Sequence, residues 1–171
     1  MTRSLVLGTL SLTIALMPSV HAGPTPAFAP RITHVSHTQV AEAVRLAAVP
    51  GQRPVELVPQ DWDLNIRVNV ARKVTNRMAE VHATYGHLFY IQEGSGTVVL
   101  GGELVEPTEN RPGEWTGTGV TGGREVHVQK GDMVTVQVGM PHWWKETGPE
   151  GVVFIAFHSY PERNRLPATQ R

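Results

Sequence analysis

The chain of 171 residues has no cysteine, so no disulfide can staple it and no lipid can be attached through a thiol; its stability must come from packing and from any metal it holds. A surplus of charge of one sign is also lacking. Fifteen Lys and Arg are matched by fifteen Asp and Glu, which offers neither nucleic acid nor an anionic membrane a charged surface to hold. Long apolar runs are scarce: the longest, Leu5 to Met17, falls short of the roughly twenty residues needed to span a bilayer. No Ser-His-Asp arrangement, glycine-rich phosphate loop or paired-carboxylate spacing stands out, so hydrolytic and nucleotide chemistries find no support.

Met1 to Ala22 reads as a secretory signal peptide: Arg3 gives the basic start, the apolar run comes next, and Val20-His21-Ala22 is a small-residue cleavage site. The expected location is the periplasm or the exterior, with no membrane association after cleavage. From Gly23 onward the chain has the length of one domain with a real core. Gly23 to Pro30 is a Pro-rich lead-in. A short helix is then expected from Ser36 or Thr38 to about Ala48. Ser36 with Gln39 makes a capping box, Val40, Val44 and Ala47 share one face, and Pro50-Gly51 marks the end. His34 and His37, beside its start, read as surface or packing residues.

Beyond Pro59 the apolar period changes to two. Leu64, Ile66, Val68 and Val70 alternate with Asn65, Arg67, Asn69 and Ala71, as in a half-buried strand. Arg72-Lys73 and Asn76-Arg77 read as solvated positions around a turn. Strands are expected over Leu88 to Gln92 and Thr97 to Leu100, separated by Glu93-Gly94-Ser95-Gly96, whose glycines permit the positive φ of a tight hairpin. The connection from Gly101 to Gly131 is rich in Gly, Pro, Thr and Glu and reads as a surface loop or a flap over a barrel mouth; its Trp115 either covers a ligand or packs on the outer wall. Arg124 to Val128, Met133 to Val138 and Val152 to Phe157 supply later strands. A total of about eight to ten makes the fold all-β, a small double-sheet barrel of the jelly-roll kind with a short N-terminal helix. The tail from Pro161 should lie in solvent.

Chemistry concentrates in two stretches. In EVHATYGHLFYIQEGSGTVVLGG, from Glu80 to Gly102, His82 and His87 flank Ala83-Thr84-Tyr85-Gly86, so two strands joined there would carry both imidazoles near one end of a hairpin. Glu80 shares a strand face with His82. Cross-strand Cβ atoms lie about 4.5–5.5 Å apart, and two imidazoles reaching a common ion at about 2.0–2.1 Å fit that separation. In GDMVTVQVGMPHWW, from Gly131 to Trp144, His142 follows Pro141 at the start of another apolar strand and supplies a third arm.

At these residues the chain resembles the cupin superfamily. His87, followed by six residues and then Gly94, stands where the first cupin motif has its Glu ligand; His82 stands at the second His of that motif and Glu80 at the first. His142 matches the His of the second motif, after the glycine-containing turn Val138-Gly139-Met140-Pro141, and Glu146 takes the place of its Asn. A family pattern of His, His, Glu, His thus becomes Glu80, His82, His87, His142. The set still offers three imidazoles and a carboxylate, and Glu80 either reaches the ion or orients a His from behind it. The resemblance covers roughly Asn65 to His158, and with the readings above the chain divides into a signal peptide (1–22), an N-terminal extension with the short helix (23–60), a cupin domain (61–160) and a tail (161–171). The resemblance implies a divalent transition metal, Fe, Mn, Ni or Zn, and makes a homodimer a fair expectation.

The function expected is that of an exported metal-dependent cupin, an enzyme of the isomerase/lyase or dioxygenase type acting on a small oxygen-rich molecule. The alternative is a non-catalytic cupin that binds a small ligand or metal. Phe89, Ile91, Trp144 and Val136 or Gln137 are candidates for the pocket lining. Acid or base candidates are Glu80 if it is not a ligand, Tyr85, His127 and His158, with Tyr90 less favoured because alternation turns it away from His87.

Overall fold

The structure, a computed structural model, describes residues 34–61, 66–74 and 78–161. One helix, α1 (His37–Ala47), precedes eleven strands among the described residues: β1 (Val55–Asp61), β2 (Ile66–Lys73), β3 (Ala79–His82), β4 (Gly86–Leu100), β5 (Glu103–Val105), β6 (Thr108–Arg111), β7 (Glu114–Gly117), β8 (Gly119–Thr121), β9 (Arg124–Gln129), β10 (Met133–Val136) and β11 (His142–Ser159). The proposed signal peptide, the lead-in, Leu64-Asn65, Asn76-Arg77 and the tail beyond Pro161 lie outside the described residues.

Two long antiparallel strands, β4 and β11, run through the whole fold, and each half of the pair has its own neighbours. The half made by Gly86–Gly94 and Val152–Ser159 is flanked by β10 on one side and by β2, then β1, on the other. The half made by Gly96–Leu100 and His142–Thr147 is flanked by β9 on one side and by β3, β7 and β6 on the other. The result is a double-layered, antiparallel barrel. The change of neighbours falls at Gly94 and Gly151, both at positive φ, where the register slips between Thr147 and Val152. A Cβ on Gly94 would collide with the Gly151 carbonyl, so glycine is required there. The Glu93–Gly96 segment is therefore not a hairpin turn between two strands. It is a bulged bend within one strand.

The long connection is likewise not a loop. It folds into β5 to β8, with β5 paired to β8 and the β6–β7 hairpin attached to β3. Period two then decides what each strand presents to the interior. Phe89 and Ile91 of β4, Phe154 and Ala156 of β11, Val134 and Val136 of β10, and Val98, Val128 and Trp144 from the other layer pack between the sheets. Val68 and Val70 of β2 and Val153 and Ile155 of β11 point the other way, under α1, where they meet Ala43, Val44 and Ala47. Ser36 caps the helix with the expected box to Gln39.

The polar face of β2 borders a cavity: Asn69 and Ala71 are buried, Arg67 and Lys73 stay partly exposed along it, and α1 covers the opposite, apolar face. Lys73, expected as a solvated turn position, is the last residue of the strand and lines that cavity. No helix among the described residues is long and apolar enough to cross a membrane.

Candidate metal centre

Three strands converge at one end of the inter-sheet space. β3 carries Glu80 and His82 on one face, β4 brings His87 at its second residue, and β11 begins with His142, which pairs in register with Glu80. β3 and β4 are not paired to each other. β3 joins β7 and β11, while the start of β4 joins β10 and the far end of β11, so Ala83–Tyr85 crosses between neighbourhoods instead of closing the expected hairpin.

The three imidazoles nevertheless meet. Their ring centroids form a nearly equilateral triangle, 4.9 Å for His82 to His87, 5.1 Å for His82 to His142 and 5.2 Å for His87 to His142. One nitrogen from each lies within 4.8 Å of the others, and all three residues are buried. Hydrogen bonds fix two tautomers. A carboxylate only accepts, so His82 Nδ1 donates to Glu114 Oε2 at 2.6 Å; a carbonyl only accepts, so His142 Nδ1 donates to the Met140 oxygen at 3.2 Å. Each ring is left with its Nε2 lone pair free. His142 Nε2 and both nitrogens of His87 are buried without any hydrogen-bond partner, an arrangement that costs about 1–3 kcal/mol per group unless something binds them.

Glu80 completes the group. Its Oε1 accepts from Lys73 Nζ at 3.0 Å, and its Oε2 lies 3.6 Å from His142 Nε2 and 3.8 Å from His82 Nε2. Ligand atoms about 2.1 Å from a shared ion stand roughly 3.0–3.4 Å apart, so these spacings need only a small contraction. The charge states suit a cation. Burial and the neighbouring His142, His158 and His82 rings hold His87 far below the ordinary imidazole pKa, in the neutral form that binds metal. Burial pushes the Glu80 carboxyl up, but its polar surroundings, the Lys73 ammonium that donates to Oε1 among them, outweigh burial and hold its pKa below the ordinary carboxylate value. Three converging imidazoles, two of them with buried nitrogens that have no hydrogen-bond partner, and an adjacent carboxylate fit a divalent first-row ion.

Beside this group opens a cavity of about 420 Å³. Ala71, Phe89, Trp144, Phe154 and Ala156 give it an apolar side, and Arg67, Asn69, Lys73, Arg111 and His158 a polar one. His158 Nε2 lies 3.2 Å from Asn69 Nδ2, and its Nδ1 is buried with no partner. Burial and the Arg67 charge lower its pKa to about 4.

Residues 64–170 match the family described as Cupin. The chain belongs to the cupin family. Among solved structures this cupin is similar to a conserved protein with a double-stranded β-helix domain from Klebsiella pneumoniae, with 16% identity over 68% of this chain and 86% of that one and a TM-score of 0.44. A Bacillus halodurans protein shares 15% identity over 60% of this chain, with a TM-score of 0.41. The oxalate decarboxylase of Lactobacillus farciminis, solved as a formate complex, shares 15% over 57% of this chain, with a TM-score of 0.39. The chain covers 65% of the second and 25% of the third, less than two thirds of either. No curated protein matches it.

Among the residues singled out from the cupin's sequence, His82, His87, His142 and Glu80 are brought together, and Tyr85 and His158 line the same cavity. His127 is not. It is exposed on β9 between the inward-facing Val126 and Val128, because alternation turns every second residue of that strand outward. Phe89 and Trp144 line the cavity as expected, whereas Ile91 and Val136 lie in the core and Gln137 is exposed. Trp115 lines the cavity rather than packing on the outer wall. Glu114, Lys73 and Asn69 join the site without having been expected from the sequence. For Lys73 and Asn69 a signal existed, their shared face with Arg67 and Ala71. For Glu114 there was none, since its partner His82 lies across a strand pairing that no local pattern announces.

Proposed function

We propose that this cupin is an exported metal-dependent enzyme, of the isomerase/lyase or dioxygenase type, acting on a small oxygen-rich molecule such as a keto or hydroxy acid, a sugar derivative or a phenol. The observation that carries the reading is the convergence of His82, His87 and His142, the last two with buried, unpartnered nitrogens, beside a cavity lined by His82 and His87 that also holds a further unpartnered imidazole nitrogen, that of His158. A divalent ion held by His82, His87, His142 and Glu80 would supply Lewis acidity toward a substrate oxygen or, as iron, oxygen chemistry. The chain does the rest. Phe89, Trp144 and Phe154 exclude water and pack against the substrate body. The exposed Arg111 and the Lys73 ammonium favour an acidic or oxygen-rich group. His158 is neutral near pH 7, and because its Nε2 accepts from the Asn69 amide its proton sits on Nδ1, from which it can donate a hydrogen bond to a substrate oxygen. Tyr85 suits that role less, because its hydroxyl already donates to Glu114 and burial beside that carboxylate raises its pKa.

Export is supported by the composition of Met1–Ala22, and a mature chain beginning at Gly23 would be its mark. The approach of Glu80 favours a second reading, a closed four-ligand site in a protein that stores metal or binds a ligand without turning it over. Elemental analysis of the protein purified from its own compartment tests both. About one equivalent of a first-row ion is expected, and most of it should be lost in His142→Ala; a metal-free wild type, or an unchanged content in the variant, contradicts the assignment. Oxygen uptake with hydroxy acids, keto acids and phenols then separates oxygen chemistry from Lewis-acid chemistry.

A further inference from the structure

Glu114 is carried by β7, and its register places it directly opposite His82. One carboxylate oxygen accepts from two donors: Oε2 lies 2.6 Å from His82 Nδ1 and 3.2 Å from the Tyr85 hydroxyl. The Tyr85 ring lies flat on the imidazole, with centroids 4.3 Å apart and planes 15° from parallel. His82 is therefore held on its edge by a carboxylate, on its face by a phenol, and along the chain by the pairing of β3 with β7. The Glu114 side chain is only 19% exposed. Burying a carboxylate against a neutral imidazole is a costly way to stabilise a hairpin, since an apolar pair would do so without desolvating a charge. It is, however, an effective way to keep one tautomer and raise the basicity of the opposite nitrogen.

We propose that Glu114, supported by Tyr85, is a positioning residue for the metal centre, acting through His82. It locks the proton on Nδ1 and aims the Nε2 lone pair at the point where His87 and His142 converge. The β6–β7 hairpin is thereby built into the centre instead of lying over it as a flap, and the same hairpin presents Asn110, Arg111 and Trp115 to the cavity. This rests on the reading of His82, His87 and His142 as ligands of a divalent ion.

The test uses the full chain and Co(II) alone as probe, with Glu114→Gln and Tyr85→Phe as variants. Affinity is read from the visible absorption of bound Co(II), and thermal unfolding is followed with and without the ion. Glu114→Gln should weaken Co(II) binding by about 10–100-fold, and Tyr85→Phe by less. In each variant the rise in Tm on adding the ion should shrink, because that increment follows affinity. A merely structural role would lower the Tm of free and loaded protein alike and leave the affinity unchanged, which would overturn the proposal. Should Glu114→Gln not fold, Tyr85→Phe decides: wild-type affinity and spectrum in that variant overturn it. A wild type that takes up no Co(II) overturns the metal reading itself, a different failure from unaltered binding in the variants.

Discussion

The two apolar clusters of this domain are built to different rules. Beneath α1, Ala43, Val44 and Ala47 meet Val68, Val70, Val153 and Ile155, and no buried side-chain polar atom there lacks a partner among the described residues. Between the sheets, the apolar packing of Phe89, Trp144 and Phe154 runs up against His87, His142 and His158, which carry buried nitrogens without a partner. β2 contributes to both environments at once: Val68 and Val70 serve the first, Asn69 and Ala71 the second. Chain position and secondary structure are thus held constant, and only the face differs. The helix-covered face is selected for packing, while the other accepts unsatisfied polar groups, each costing about 1–3 kcal/mol, for what they can bind.

Removing packing from the inter-sheet side tests the contrast most severely. Phe154 is 2% exposed and stacks on Trp144 at 5.2 Å with a tilted contact to Phe89 at 4.8 Å. Phe154→Ala should cost about 3–5 kcal/mol in urea unfolding; a loss below about 1 kcal/mol would mean that this cluster relaxes freely and is not a close-packed core. A smaller effect of opposite sign is expected at His87. Replacing an imidazole with two orphaned nitrogens by an apolar side chain of similar size removes a desolvation cost, so His87→Leu should stabilise the metal-free protein by about 1–3 kcal/mol while abolishing metal uptake. Calorimetry of protein stripped by chelator checks the first part and elemental analysis the second. Destabilisation of the metal-free form would show that His87 is there for packing.

These differences explain how far the sequence could be read. The all-β class, the capped helix and the gathering of His82, His87 and His142 were legible because each rests on local periodicity or on a motif spacing. The bend at Gly94 was not, since glycine pairs with positive φ serve hairpins and bulges equally well, and only the pairing of Gly94 with Val152 and of Gly96 with Thr147 decides between them. The polar face of β2 was legible as a face of a half-buried strand, but its place along the cavity was not. Alternation reports that two sides differ, not which of them meets solvent, and the helix that covers Val68 and Val70 lies about twenty residues upstream in the chain. Glu114 was invisible because its role depends on a register between strands separated by more than thirty residues.

The smallest expected effect lies at the helix itself and tests whether the two regions are independent. Ser36 accepts from the Gln39 amide while the Gln39 side chain accepts from the Ser36 amide, which satisfies two backbone donors at the start of α1. Ser36→Ala should cost about 1 kcal/mol of stability, because the orphaned amide is exposed and water replaces part of the lost bond. Its consequence for the metal centre should be nil. α1 packs on the outer face of β2 and β11, and changes that share no partner add without coupling. Co(II) affinity in Ser36→Ala equal to that of the wild type, alongside a lowered Tm, is the expected pair of results. A matching loss of affinity would show that the helix-covered face transmits strain through β2 to Lys73 and Glu80, and that the division between packing and chemistry is not one the molecule respects.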